Sequence, residues 1–144
     1  MNKEQRIEIM KLPDVEVLAR TLYGEARNQK LEGIIAVANV ITNRAQYSIK
    51  RYGIGITEVC LMKWQFSCWN DTDPNLDKLM GDIVDPTIYK CRVIANISVV
   101  SLLVDNTYGA THYHHKSITP YWSESNQMNR LVYIGDHIFY REVI

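Results

Sequence analysis

Arg20-Thr-Leu-Tyr-Gly-Glu-Ala-Arg27 is the stretch on which the reading of this chain turns. Apolar side chains at Val15, Leu18, Ala19, Leu22 and Ala26 run through it at helical spacing. Glu25 falls three residues after Leu22, so it sits beside the apolar stripe rather than opposite it. A carboxylate on such a border loses hydration, which disfavours its charged form and raises its pKa. The negative end of the helix dipole acts in the same direction. A general acid needs that property, and Glu25 is the candidate catalytic residue. The plainer alternative is a surface glutamate near a helix end.

Working outward, Pro13-Asp14 predicts a helix start with Asp14 as N-cap, and a helix over about 15–27. Asn28-Gln29-Lys30 breaks it, and a second helix is expected over about 31–46. Ile34, Ile35, Val37, Ala38 and Ile41 give that helix a broad apolar face. Gly33, Ala36 and Ala38 are small enough for another helix to approach closely. The link is short, so the pair predicts a helical hairpin. Residues 47–56 read as loop, with Gly53 and Gly55 as punctuation, and Thr57 opens a short helix. A further short helix is expected over about 75–84. Asp85-Pro86 starts a helix over about 87–104, apolar on much of its circumference and predicted to be the central buried one. Near the C-terminus, Leu-Val-Tyr-Ile134 and His-Ile-Phe-Tyr140 flank a Gly-Asp turn and predict a small β-hairpin.

At 144 residues the chain fits one domain with a real core. Its apolar fraction of 47% and charged fraction of 22% are those of an ordinary globular protein. Sixteen basic residues balance sixteen acidic ones, which argues against nucleic acid as the main partner. The charged N-terminus has no signal-peptide core, and the longest apolar run, 93–104, is too short to span a bilayer. Synthesis in the cytoplasm without a signal peptide, and no stable membrane insertion, are the expectations. Cys60, Cys68 and Cys91 are read as free buried thiols.

Two downstream clusters join aromatic to hydrogen-bonding side chains, the combination that suits sugars with apolar faces and polar edges. One is Trp64-Gln-Phe-Ser-Cys-Trp-Asn-Asp71 and the other Thr111 to Trp122. Trp64, Phe66, Trp69, Tyr113, Tyr121 and Trp122 are candidate platforms, and Gln65, Ser67, Asn70 and His112 candidate edge readers. Taken singly, each aromatic reads equally as core. A zinc amidase using His112, His114 and His115 with Glu25 as base is the second hypothesis, without an HExxH motif behind it. Ser67-Cys68 lacks a nucleophile elbow.

Leu22-Tyr-Gly-Glu-Ala-Arg27, the run from Glu32 to Arg44, Gln65-Phe-Ser-Cys-Trp-Asn70, Ala110-Thr-His-Tyr-His114, Pro120-Tyr-Trp122 and Ile134 to Arg141 together resemble the SleB-type cell wall hydrolases. These are spore-cortex-lytic enzymes and their phage-like relatives. The resemblance covers roughly residues 14–141, with the motifs in the same order. It implies an α+β, mostly α, lysozyme-like or lytic-transglycosylase-like single domain over 14–144, with residues 1–13 as an N-terminal extension. It also implies peptidoglycan glycan strands as partner, action at the cell wall, Glu25 as the catalytic acid, and neither metal nor other cofactor. Tyr23, Gln65, Phe66, Ser67, Trp69, His112, Tyr113, Tyr121 and Trp122 are the expected substrate-binding residues by place in matching motifs. The expected reaction is cleavage of the bond from N-acetylmuramic acid to N-acetylglucosamine with a 1,6-anhydro product. The alternatives are the zinc amidase and a non-catalytic peptidoglycan-binding module. Asp71 and Asp73 are possible second carboxylates for a hydrolytic route.

Overall fold

Two long helices with opposed duties organise the molecule. The computed structural model describes residues 1–47 and 50–143; the part of the expected 47–56 loop at residues 48 and 49 lies outside them. Among the described residues the chain forms six α-helices and three strands: α1 (Lys3–Met10), α2 (Asp14–Ala26), α3 (Leu31–Gln46), α4 (Gly55–Leu61), α5 (Leu76–Met80), α6 (Thr87–Val99), β1 (His112–His115), β2 (Met128–Ile134) and β3 (His137–Glu142). The architecture is α+β and mostly α, with a small sheet late in the chain. Helix α2 is apolar around most of its girth, burying Val17, Leu18, Ala19, Leu22 and Ala26 in the helical core. Helix α3 serves two cores. Ile34, Val37, Ala38 and Ile41 face the helices, while Ala36 and Val40 lie under the sheet against Phe139.

The sheet has the order β1-β3-β2 and is antiparallel throughout, pairing Tyr113 with Phe139 and Ile134 with His137. The hairpin turn is tied down by Gln29 in the α2–α3 link. Gln29 donates to Asp136 Oδ2 at 3.1 Å and accepts from the Asp136 amide at 3.3 Å. Gly135 holds φ at +57°, a conformation that favours glycine, and a Cβ there would come 2.7 Å from Gln29 Oε1 and disturb that tie.

Several expectations shift. Asp14 is the first residue of α2, and Pro13 occupies the cap position. Residues 2–10 are ordered by a capping box between Asn2 and Gln5, and Ile9 of α1 joins the main core. Helix α5 stops at Met80 and α6 at Val99. Nor is α6 the central helix: it packs one face on α2 and α3 and leaves Tyr89, Val93 and Ile97 exposed. The close approach at Gly33 comes from Gln29 in the preceding link rather than from a helix. All three cysteines are free and buried. No helix among the described residues is long and apolar enough to cross a membrane.

Candidate active site

Helix α2 carries Glu25 in its last turn. The glycine before it has a steric cause. A Cβ on Gly24 would lie 2.7 Å from Cys68 Cβ, 2.8 Å from Cys68 Sγ and 3.0 Å from Leu79 Cδ1. A hydrogen in that place lets Cys68 rest against the helix, and so seats the 3-10 turn Ser67–Trp69 on the end of α2. Inside this turn Trp69 N bonds to Phe66 O, and Asn70 N to Ser67 O. The amides of Ser67 and Cys68 therefore have no partner within it. They face the Glu25 carboxylate, and so does the Cys68 thiol. Burial outweighs them and raises the Glu25 pKa above the ordinary carboxylate value, with the Asp73 charge pushing the same way.

Tyr113 of β1 forms the opposing wall. Its ring stacks on Phe139 with centroids 5.6 Å apart and meets His137 edge-on at 5.0 Å. Burial, and then the negative charge of Glu25, raise its pKa well above the usual tyrosine value, so the hydroxyl stays protonated. Arg44, on the last turn of α3, joins the two walls. Its Nε donates to Thr111 O at 2.6 Å and its Nη1 to Gln65 Oε1 at 2.6 Å. The guanidinium is held between the rings of Tyr52 and Phe66, 5.3 and 5.2 Å from their centroids.

Of the expected residues, Ser67 and Tyr113 lie by Glu25, and Gln65 is tied to this group through Arg44. The others lie elsewhere. Tyr23 is two residues before Glu25, about 200° away around the helix. It points to the far side, where its hydroxyl donates to Asp85 Oδ2 at 2.9 Å. Phe66 and Trp69 are buried, and Trp69 Nε1 donates to Thr21 Oγ1 at 3.0 Å. His112 leaves the sheet on the face opposite Tyr113 and packs against Tyr52 and Trp122. Burial first, then Arg44 and Arg51, push its pKa down to about 4, so it is neutral at neutral pH. Trp122 closes that second face with His114 and Tyr140, and Tyr121 projects into solvent. Asp71 pairs with the Met1 ammonium, leaving Asp73 as the carboxylate near Glu25. A cavity of about 510 Å³ lies behind the loop, lined by Trp64, Phe66 and Trp69 but not by Glu25.

The histidines do not form a common centre. His114 Nδ1 is 2.8 Å from His115 O, which makes that nitrogen the donor, and Nε2 then accepts from the Tyr140 hydroxyl at 2.9 Å. Among the described residues no three His, Cys, Asp or Glu side chains converge as a ligand set. Two residues of the site were not anticipated, Arg44 and Cys68, whereas Asp73 was one of the two expected second carboxylates. Arg44 carried a signal, because it continues the Val37–Ile41 stripe and so had to be buried.

The site thus holds a desolvated carboxylate with Asp73 nearby, faced by two backbone amides and a protonated phenol. The chain belongs to the cell wall hydrolase family, whose model matches residues 28–140, and is a peptidoglycan-degrading enzyme. The matched span begins three residues after Glu25. Two solved structures share the fold, each at 23% identity and a TM-score of 0.67 over 88% of this chain. One is the catalytic domain of the Bacillus cereus SleB protein, 88% of which is covered. The other is the catalytic domain of the germination-specific lytic transglycosylase SleB from Bacillus anthracis, 92% of which is covered. No curated protein matches the chain.

Proposed function

We propose that this enzyme is a lytic transglycosylase that cleaves the bond from N-acetylmuramic acid to N-acetylglucosamine, with Glu25 as both acid and base. The observation that carries the reading is the Glu25 environment: burial keeps a proton available, while the Ser67 and Cys68 amides and the Cys68 thiol receive the carboxylate once that proton is gone. Protonated Glu25 delivers its proton to the glycosidic oxygen as the bond to muramic C1 breaks. The resulting carboxylate takes the proton of the muramic C6 hydroxyl, whose oxygen closes onto C1 as the 1,6-anhydro ring. Glu25 ends protonated, as it began. Ser67 and Tyr113 beside Glu25, and Gln65 held by Arg44, are assigned to the sugars on this reading. The fold shared with a protein described as a lytic transglycosylase supports the choice.

Asp73 favours a second reading, in which it directs a water to C1 and the product is hydrolytic. One of its oxygens is already engaged, accepting from Asn75 N at 2.8 Å. Mass spectrometry of digested peptidoglycan separates the routes. Anhydro-muropeptides are expected; reducing muramic ends would transfer the assignment to hydrolysis, and free stem peptides would end the glycosidase reading altogether. Glu25→Gln, which cannot deliver the proton, should fold normally and release no product.

A further inference from the structure

We propose that Arg44 is a positioning residue that locks Gln65 with its amide nitrogen toward the substrate, making Gln65 a reader of the acetamido carbonyl. This rests on the glycosidase reading and adds an atom-level basis for choosing N-acetylated strands. A glutamine amide has a carbonyl end and an NH2 end, and either can face a ligand. Here the carbonyl end is taken: Arg44 Nη1 donates to Gln65 Oε1 at 2.6 Å. The guanidinium cannot turn away, because its Nε holds Thr111 O at 2.6 Å and two aromatic rings enclose it. It has donors and no acceptor, so the opposite orientation of Gln65 would set two donors against each other. Gln65 Nε2 has no hydrogen-bond partner among the described residues, and the side chain is only half-buried.

The group presented is therefore a donor alone. Sugar hydroxyls both donate and accept, and any polar side chain can serve them. The acetamido carbonyl is an acceptor alone, and it is the complement of a fixed N–H donor. Arg44 also ties this donor to the Tyr113 wall, since Thr111 precedes β1 by one residue. The distance across the site from Gln65 to Tyr113 is thus set by one buried cation.

Gln65→Glu tests the assignment directly. A glutamate keeps an oxygen for Arg44 but turns a second oxygen, instead of NH2, toward the substrate. The measurement is kcat/KM on N-acetylated glycan strands and on the same strands chemically N-deacetylated. Relative to the unsubstituted enzyme, the ratio of acetylated to deacetylated should fall by tenfold or more, about the effect of losing one buried hydrogen bond and gaining an oxygen–oxygen clash. Arg44→Lys, whose single ammonium cannot hold both acceptors, should lower the same ratio while leaving the alkaline limb of the pH profile in place. An unchanged ratio in Gln65→Glu overturns the proposal. Equal losses on both substrates in Arg44→Lys would reduce Arg44 to a structural role and overturn its part. Product formation by Glu25→Gln would instead remove the glycosidase reading on which the proposal stands.

Discussion

Replacing Gly24 by alanine puts the construction of the site to its hardest test, because the change is one methyl group that never touches substrate. The added Cβ would lie 2.7 and 2.8 Å from two atoms of Cys68. Ordinary contact starts at about 3.5 Å, so the Ser67–Trp69 turn must retreat by roughly 0.7 to 0.8 Å. Leu79 Cδ1, at 3.0 Å, blocks easy relief on another side. Overpacking of this kind costs about 1–3 kcal/mol, and the better helix propensity of alanine returns about 1 kcal/mol. The net loss of stability is then about 0–2 kcal/mol.

The loss of activity should be larger. A misplacement near 1 Å can cost about 100-fold in rate, and here it withdraws the amides that receive ionised Glu25. Those amides favour the charged form, so their retreat raises the Glu25 pKa further. With protonated Glu25 as the active form in the proposed mechanism, the alkaline limb of the pH–rate profile moves upward while kcat falls. Gly81→Ala is the control, since a Cβ there would meet no heavy atom within 4 Å; stability and rate should hold. A Gly24→Ala enzyme with undiminished kcat and an unmoved alkaline limb would refute the idea that Cys68 seats this turn for catalysis.

Glu25→Gln should gain stability relative to the unsubstituted enzyme as pH rises. A carboxyl whose pKa is raised by folding binds its proton more tightly in the native state, so it weakens the fold as pH climbs from the ordinary carboxylate value through its raised one. Denaturant melts at pH 4 and pH 8 check this; equal differences at both would refute it. His112 acts oppositely at the acid end. Its pKa is held down at about 4, so stability should be lost as pH falls from about 6.5 through 4, and His112→Phe should flatten that slope. Trp69→Phe removes a buried donor to Thr21 and leaves a void, costing about 2 kcal/mol or more in a urea titration. Asp73→Asn retains an oxygen for the Asn75 amide but removes a like charge beside Glu25, so the alkaline limb should move down with the anhydro product unchanged. A collapse of rate in that variant would favour the hydrolytic route.

Helices α2 and α3 were legible because their apolar periodicity is strong, and the β2–β3 hairpin because its strands alternate about a Gly-Asp turn. Strand β1 was not, because His-Tyr-His-His has no strand pattern of its own and is extended by pairing with β3 from more than twenty residues away. Helix α6 misled for the converse reason. Its apolar residues run around the cylinder, and only the neighbours reveal which face is covered. The placement of Tyr23 was within reach of simple geometry: neighbours at i and i+2 on a helix diverge by about 200°, so Tyr23 and Glu25 leave α2 in different directions. His112 and Tyr113 part company for the same reason in a strand, where adjacent side chains leave opposite faces, and only Tyr113 lies on the Glu25 side.

What the sequence could not give was the partner of each apolar or polar surface, and the site is made of such partners. Glu25 is desolvated because Cys68 can lie on Gly24, a contact between residues 44 positions apart. Gln65 and the strand bearing Tyr113 hold their places because Arg44 reaches both. Neither contact touches the scissile bond, and each depends on a residue chosen for what it permits: no side chain at 24, an immovable planar cation at 44. A carboxylate alone would be an exposed glutamate at a helix end. The two long-range contacts give it a dry setting, amides to receive its charge and an opposite wall, which is what the proposed acid–base cleavage requires of a protein.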